Sequence, residues 1–226
     1  KDEHTVKPKL VYISNPTELG TVYNKSELLE LRKVCNENRL FLFVDGARLA
    51  SAMASKANDI SLYEFSCLVD SFYIGGTKNG ALLGEALVIC NENLKEDFRY
   101  HIKQKGALLA KSRILGIQFA ELFRDDLYMD LARHANEMAT LLKKGLTELD
   151  YQFLVDSPSN QLFPIFPEEE IEQLKNDFLF YNWEKVDDKH SAIRLITSWA
   201  TKKEEVLRFL EVVSKINKKC SVSHRL

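Results

Sequence analysis

Three short apolar runs in the first third of the chain each end in a polar cluster. LVYIS (10–14) runs into NPT (15–17), LFLFV (40–44) into DGAR (45–48), and DSFYI (70–74) into GGTK (75–78). Between the first two lies NKSELLELRKVCNEN (24–38). There Asn24 and Glu27 have the spacing of a capping box, and Leu28, Leu31 and Cys35 share one helical face. A looser helical stretch covers 47–69, and ALVIC (86–90) reads as a fourth strand. Strands alternating with helices specify an α/β sheet covered by helices. Near-continuous apolar strands favour parallel pairing with both faces covered. The link from YIGG to ALVIC is short and permits an antiparallel pair, because parallel crossovers need a dozen or more residues.

The pattern changes after residue 94. Residues 95–124 read as helical, and 126–149 as a long amphipathic helix with Leu127, Leu131, Met138, Leu142 and Leu149 inward. YQFLVDS, NQLFPIF, FLFYNW and AIRLITSW then read as short strands. A helix at 168–176 lies among them, and a last helix spans 202–217 with Val206, Leu210 and Val213 on one face. This second part is expected to form a small α+β domain. The division falls at 1–124 and 125–226.

Net charge is −2, so electrostatics give no reason to expect a nucleic-acid partner. The four cysteines, Cys35, Cys67, Cys90 and Cys220, form no C-x-x-C pair and read as reduced thiols of a cytoplasmic protein. No apolar run approaches membrane-spanning length. His4, His101, His134, His190 and His224 show no metal-ligand spacing, and His134 within its helix reads as structural.

Ligands of open α/β sheets gather at the carboxyl ends of the strands, where all three polar clusters lie. Alone, Asp45 reads as a turn residue and Lys78 as a surface lysine. Together they suit one chemistry. A carboxylate can hold a proton on a heterocyclic nitrogen, and an amine with a lowered pKa can form a Schiff base with an aldehyde. That pair is what a pyridoxal phosphate site needs. Gly75 and Gly76 would let backbone approach closely, and Thr77 offers a hydroxyl.

The stretches PKLVYISNPTELGTVY, FLFVDGARLASAM, DSFYIGGTKNGALLGEALVI and AIRLITSWAT resemble the threonine aldolase and β-eliminating lyase family of fold type I pyridoxal phosphate enzymes. The pairing of VDGAR with GGTKNG one strand–helix–strand unit later is the most specific part. The resemblance implies a partial, mostly parallel large-domain sheet followed by a small α+β domain. It makes Lys78 the Schiff-base lysine and Asp45 the partner of the pyridine nitrogen. Arg48 would contact the cofactor or the substrate carboxylate, Thr17 the ring or its phenolic oxygen, and Thr77 the phosphate. Arg194 would clamp the substrate carboxylate, although a strand arginine more often reaches solvent. Lys111 is a further phosphate candidate, against the commoner case of a helix-surface lysine.

The family's phosphate loop, its cofactor-stacking ring and its first strands lie upstream of PKLVYIS. The chain is therefore expected to correspond to the carboxyl-terminal two-thirds of such an enzyme, with the catalytic base among the upstream residues. The activity implied is cleavage of a β-hydroxy-α-amino acid to glycine and an aldehyde by a homo-oligomer. The alternatives are β-elimination from an amino acid, or a fragment without independent activity.

Overall fold

The computed structural model describes residues 3–223, with side chains as far as Lys218. The Cys220 side chain and His224 lie outside the described residues. Two compact units divide the chain. The first takes the residues up to Thr17 together with Val22–Asp130; the second takes Glu18–Thr21 and the residues from Leu131 onward.

In the first unit β1 (Leu10–Ser14), β2 (Phe41–Asp45), β3 (Ser71–Ile74) and β4 (Ala86–Ile89) form one sheet in that order. β1, β2 and β3 run parallel, with Ser14 beside Asp45 and Val44 beside Phe72. β4 returns antiparallel to β3, pairing Ile74 with Ala86. The short link thus makes a hairpin, as its length permits.

Helix α1 (Lys25–Asn38) starts on the expected capping box. Asn24 Oδ1 accepts the Glu27 N–H, and Glu27 Oε2 accepts the Asn24 N–H, both at 2.9 Å. Leu28 and Cys35 on this helix are buried, whereas Leu31 is only partly so. The stretch expected to be one loose helix over 47–69 is two: α2 (Leu49–Met53) and α3 (Leu62–Leu68). A second capping box, Ser61 with Glu64, starts α3 afresh. Asn58 holds the preceding loop by donating to the carbonyls of Met53 and Ile60. Such short polar side chains satisfy backbone groups outside a helix and so divert the chain from continuing one.

Alternate residues give the sheet two unlike faces. Leu42, Val44, Phe72 and Ile74 are buried together with Leu28 and Phe65, and the Phe65 and Phe72 rings meet edge-on at 5.2 Å. Each such side chain contributes about 1.5–3 kcal/mol. The other face carries Leu10, Tyr12, Phe43, Asp45, Tyr73 and Leu87, all partly or fully accessible.

Residues 95–124 form α4 (Phe98–Gln104) and α5 (Arg113–Leu122), separated by a turn in which Gly106 takes φ +71°. α6 (Leu127–Glu148) follows, and its buried stripe is Tyr128, Ala132, Ala135, Met138, Ala139, Leu142 and Leu146. Met138 and Leu142 lie inward as expected. Leu127, Leu131 and Leu149 are only half-buried, because small alanines occupy the close-packed positions.

The second unit has an antiparallel sheet. β5 (Gln161–Leu162), β6 (Ile165–Pro167) and β7 (Tyr181–Lys185) all pair with β8 (His190–Ile196). α7 (Glu168–Leu174) and α8 (Lys203–Ser223) complete it, over a core of Leu146, Leu162, Phe166, Ile171, Ile193, Val206 and Val213. YQFLVDS forms no strand; only Phe153 makes an isolated bridge, to Pro164. That proline, which lacks an N–H, also splits NQLFPIF into β5 and β6. His134 Nε2 lies 2.7 Å from the Thr201 carbonyl, which accounts for it structurally. No described helix is long and apolar enough to cross a membrane.

Candidate active site

Three strand ends are stitched together by backbone hydrogen bonds. After β1, the Asn15 N–H donates to the Asp45 carbonyl at 3.0 Å. After β3, the Gly75 N–H donates to the Gly46 carbonyl at 2.9 Å. The approach of the last two is so close that a Cβ on Gly46 would stand 1.8 Å from the Tyr73 carbonyl oxygen, and one on Gly75 would stand 2.3 Å from that of Ala47. Glycine at both positions is thus a steric requirement for bringing DGAR and GGTK together.

Asp45 closes β2. Its Oδ1 accepts the Ala47 N–H at 3.0 Å and the Tyr73 hydroxyl, and its Oδ2 accepts the Tyr12 hydroxyl. Burial pushes its carboxyl up. The Tyr12 and Tyr73 hydroxyls, the Ala47 N–H and the positive charge of Lys78 outweigh that and hold it below the usual carboxylate range. Asp45 is therefore ionised at neutral pH. Burial and the Asp45 carboxylate push the Tyr73 phenol far up, so it remains a donor.

Lys78 is exposed, in the 3-10 turn Thr77–Asn79 that follows β3, and its charge acts on Asp45. The turn is fixed from two sides. The Tyr128 hydroxyl donates to the Gly75 carbonyl at 2.9 Å, and Asn79 Nδ2 donates to the Tyr128 carbonyl at 2.8 Å. Opposite, Glu85 accepts the Gly76 N–H on one oxygen and the Thr77 hydroxyl on the other. A carboxylate next to Thr77 repels an anion, so the geometry does not favour the phosphate contact expected of that residue.

Arg48 stands half-buried on the turn immediately before α2. Thr17 lies half-buried in the loop after β1, two residues from Asn15. Lys111 is exposed in the turn before α5. Arg194 belongs to the second unit. Its guanidinium lies over the Trp183 ring, 5.1 Å from the centroid, and Nη2 donates to Gln161. Arg194 Nε is buried and has no acceptor among the described residues.

Three contributors were not anticipated from the sequence. Asn15 is 1% exposed, and its Nδ2 is a buried donor with no acceptor among the described residues. Tyr12 and Tyr73 lie on the Asp45 face of the sheet. Their alternation with the apolar positions of β1 and β3 was a usable signal; NPT was visible as a strand-end cluster, but nothing in it singled out Asn15.

A parallel sheet with an acid closing one strand and a lysine on the turn after the next defines an α/β architecture shared with pyridoxal phosphate enzymes of fold type I. A family model described as beta-eliminating lyase matches residues 1–166. The chain belongs to the beta-eliminating lyase family. It is 34% identical to a low specificity L-threonine aldolase of Pseudomonas aeruginosa over 208 residues, which are 91% of this chain and 59% of that protein. A solved threonine aldolase of Leishmania major superposes with a TM-score of 0.93 at 49% identity, covering 96% of this chain and 64% of that one. An aspartate aminotransferase of Thermus thermophilus shares the fold, with a TM-score of 0.66 at 17% identity. The chain thus spans about three-fifths of the length of the relatives it matches.

Proposed function

We propose that the protein is a pyridoxal phosphate-dependent lyase that cleaves a β-hydroxy-α-amino acid such as threonine to glycine and an aldehyde. One observation carries this reading: an ionised Asp45 and a lysine whose charge acts on it stand at adjoining strand ends of a beta-eliminating lyase chain. The residues fit the cofactor. Asp45 has about four lone-pair positions, of which three accept the donors described, leaving one for a protonated ring nitrogen. Asn15 Nδ2 is a buried donor on the adjoining strand end, available to an oxygen acceptor. The unit with β1–β4 is read as part of a cofactor domain, residues 1–124, and the unit with β5–β8 as a small domain, residues 125–226.

When bound, pyridoxal phosphate supplies an aldehyde that condenses with amines and a ring that takes up the electron pair released from the substrate. Asp45 keeps the proton on the ring nitrogen, so that the ring stays electron-accepting. Lys78 Nζ would be the amine that holds the cofactor's aldehyde carbon. Arg194 offers Nε to the substrate carboxylate, and its planar fork suits a two-bond grip. Arg48 and Thr17, in the loops after β2 and β1, would be further contacts for the cofactor or the substrate. Orienting the carboxylate selects which bond at Cα is broken.

The test uses full-length protein. Added pyridoxal phosphate should produce the near-ultraviolet and visible absorbance of its lysine linkage, and threonine should yield glycine. Lys78→Ala should abolish both. Retention of turnover by that variant would falsify the assignment. The family description favours one second reading, β-elimination from a β-substituted alanine, in which case pyruvate and ammonia replace glycine as products.

A further inference from the structure

We propose that Tyr12 and Tyr73 are positioning residues that hold the Asp45 carboxylate, one hydroxyl on each oxygen, in the orientation that meets the cofactor ring nitrogen. The inference rests on the reading of Asp45 given above and assigns the residues through which that aspartate is set.

Geometry carries it. Tyr12 and Tyr73 come from the strands on either side of β2, so they approach Asp45 from opposite sides. The parallel register puts Tyr12 beside Phe43, two residues before Asp45. The Tyr12 ring stacks on Phe43 at 5.5 Å and 25°, and the Tyr73 ring lies 6.3 Å from Phe43 on the other side. Phe43 is thus a spacer that aims both hydroxyls along the sheet toward the strand end. With the Ala47 N–H, three donors from three places fix the plane of the carboxylate. All three are neutral, so they orient the charge without cancelling it.

Lys78 is the charged group that acts on Asp45, and Tyr12, Tyr73 and the Ala47 N–H are its other partners. Removing a hydroxyl therefore takes away one of the three donors that fix the plane of the carboxylate. It also lets burial push the carboxyl upward, so that Asp45 takes up its proton at a higher pH. A protonated Asp45 no longer accepts from a ring N–H⁺.

The experiment compares wild type, Tyr12→Phe, Tyr73→Phe, the double variant and Asp45→Asn in the full-length protein. Pyridoxal phosphate affinity is measured by absorbance titration from about pH 3, below the ordinary carboxylate value near 4, up to about pH 8, and folding is checked by circular dichroism at each pH. Each phenylalanine should weaken affinity on the order of tenfold, the loss expected for one hydrogen bond to a charged group. Each should also move the acid limb of binding up by about one pH unit, the equivalent of that tenfold change. A purely structural role would lower thermal stability and leave the acid limb in place. Tyr12 lies on the accessible face, so Tyr12→Phe decides the question should Tyr73→Phe not fold. Unchanged affinity and acid limb in the tyrosine variants, with binding lost in Asp45→Asn, overturns the inference and leaves the Asp45 assignment standing. Undiminished binding in Asp45→Asn overturns both.

Discussion

Asp45 and Asp70 occupy opposite edges of the same parallel sheet and are held by different chemistry. Asp70 precedes β3 and faces the amino end of β2. It accepts Arg32 Nη1 at 2.7 Å, the Leu42 N–H at 2.7 Å and Asn91 Nδ2 at 2.6 Å. Arg32 also donates to the Leu40 carbonyl. Asp70 therefore ties α1, β2 and the end of β4 into one latch, and its charge is neutralised by a guanidinium. Asp45, at the carboxyl edge, is bound by two phenols and one amide N–H. The same side chain makes a structural clasp where its charge is matched inside the fold. At Asp45 the hydrogen-bond donors are all neutral, Lys78 is the charge that acts on it, and the carboxylate stays open to a further donor, as the proposed cofactor contact requires.

The most severe way to break the comparison is to neutralise both acids. Asp70→Asn leaves the Arg32 charge uncompensated and should cost about 3–5 kcal/mol in urea unfolding. Cofactor affinity of the folded fraction should not change. Asp45→Asn should do the reverse, lowering turnover on the order of a hundredfold or more while the urea midpoint stays close to wild type. A large stability loss in Asp45→Asn would erase the distinction.

Asn91→Ala sharpens it. One charge-assisted bond to Asp70 is lost, and urea unfolding should show about 1.5–3 kcal/mol less stability, with no effect on cofactor binding. The smallest effect is in acid. Burial raises the Asp70 carboxyl, but Asn91, Arg32 and the Leu42 N–H outweigh it, so its folded value lies below the ordinary one. Its stabilisation is therefore complete above the unfolded value near pH 4 and is lost as pH falls through the lower folded value. Urea midpoints of Asp70→Asn measured between about pH 4 and pH 2 should fall less steeply than those of wild type.

Much of the first unit was legible because its signals are local. The apolar runs gave β1 to β4, the short hairpin link explained the antiparallel strand, and Asn24 with Glu27 marked the start of α1. The Ser61–Glu64 box was equally local, yet the helical composition around it masked it. The second unit was less legible. Its strands are two to seven residues long, and in YQFLVDS the backbone goes into turns although the composition suits a strand. At the site, Asp45 and Lys78 were visible as residue types at strand ends. The Glu85 contact with Thr77 was not, since it joins residues across a loop whose path the sequence does not specify.

By itself the chain determined which residues could carry the chemistry: an acid and a lysine placed after apolar strands, with glycines where two backbones must touch. Tertiary structure alone decided what holds that acid. Register between strands brought Tyr12 and Tyr73 to one carboxylate, and the packing of α1 on the sheet brought Arg32 to the other. Register is set by packing an entire face of the sheet, and no segment of sequence encodes it separately.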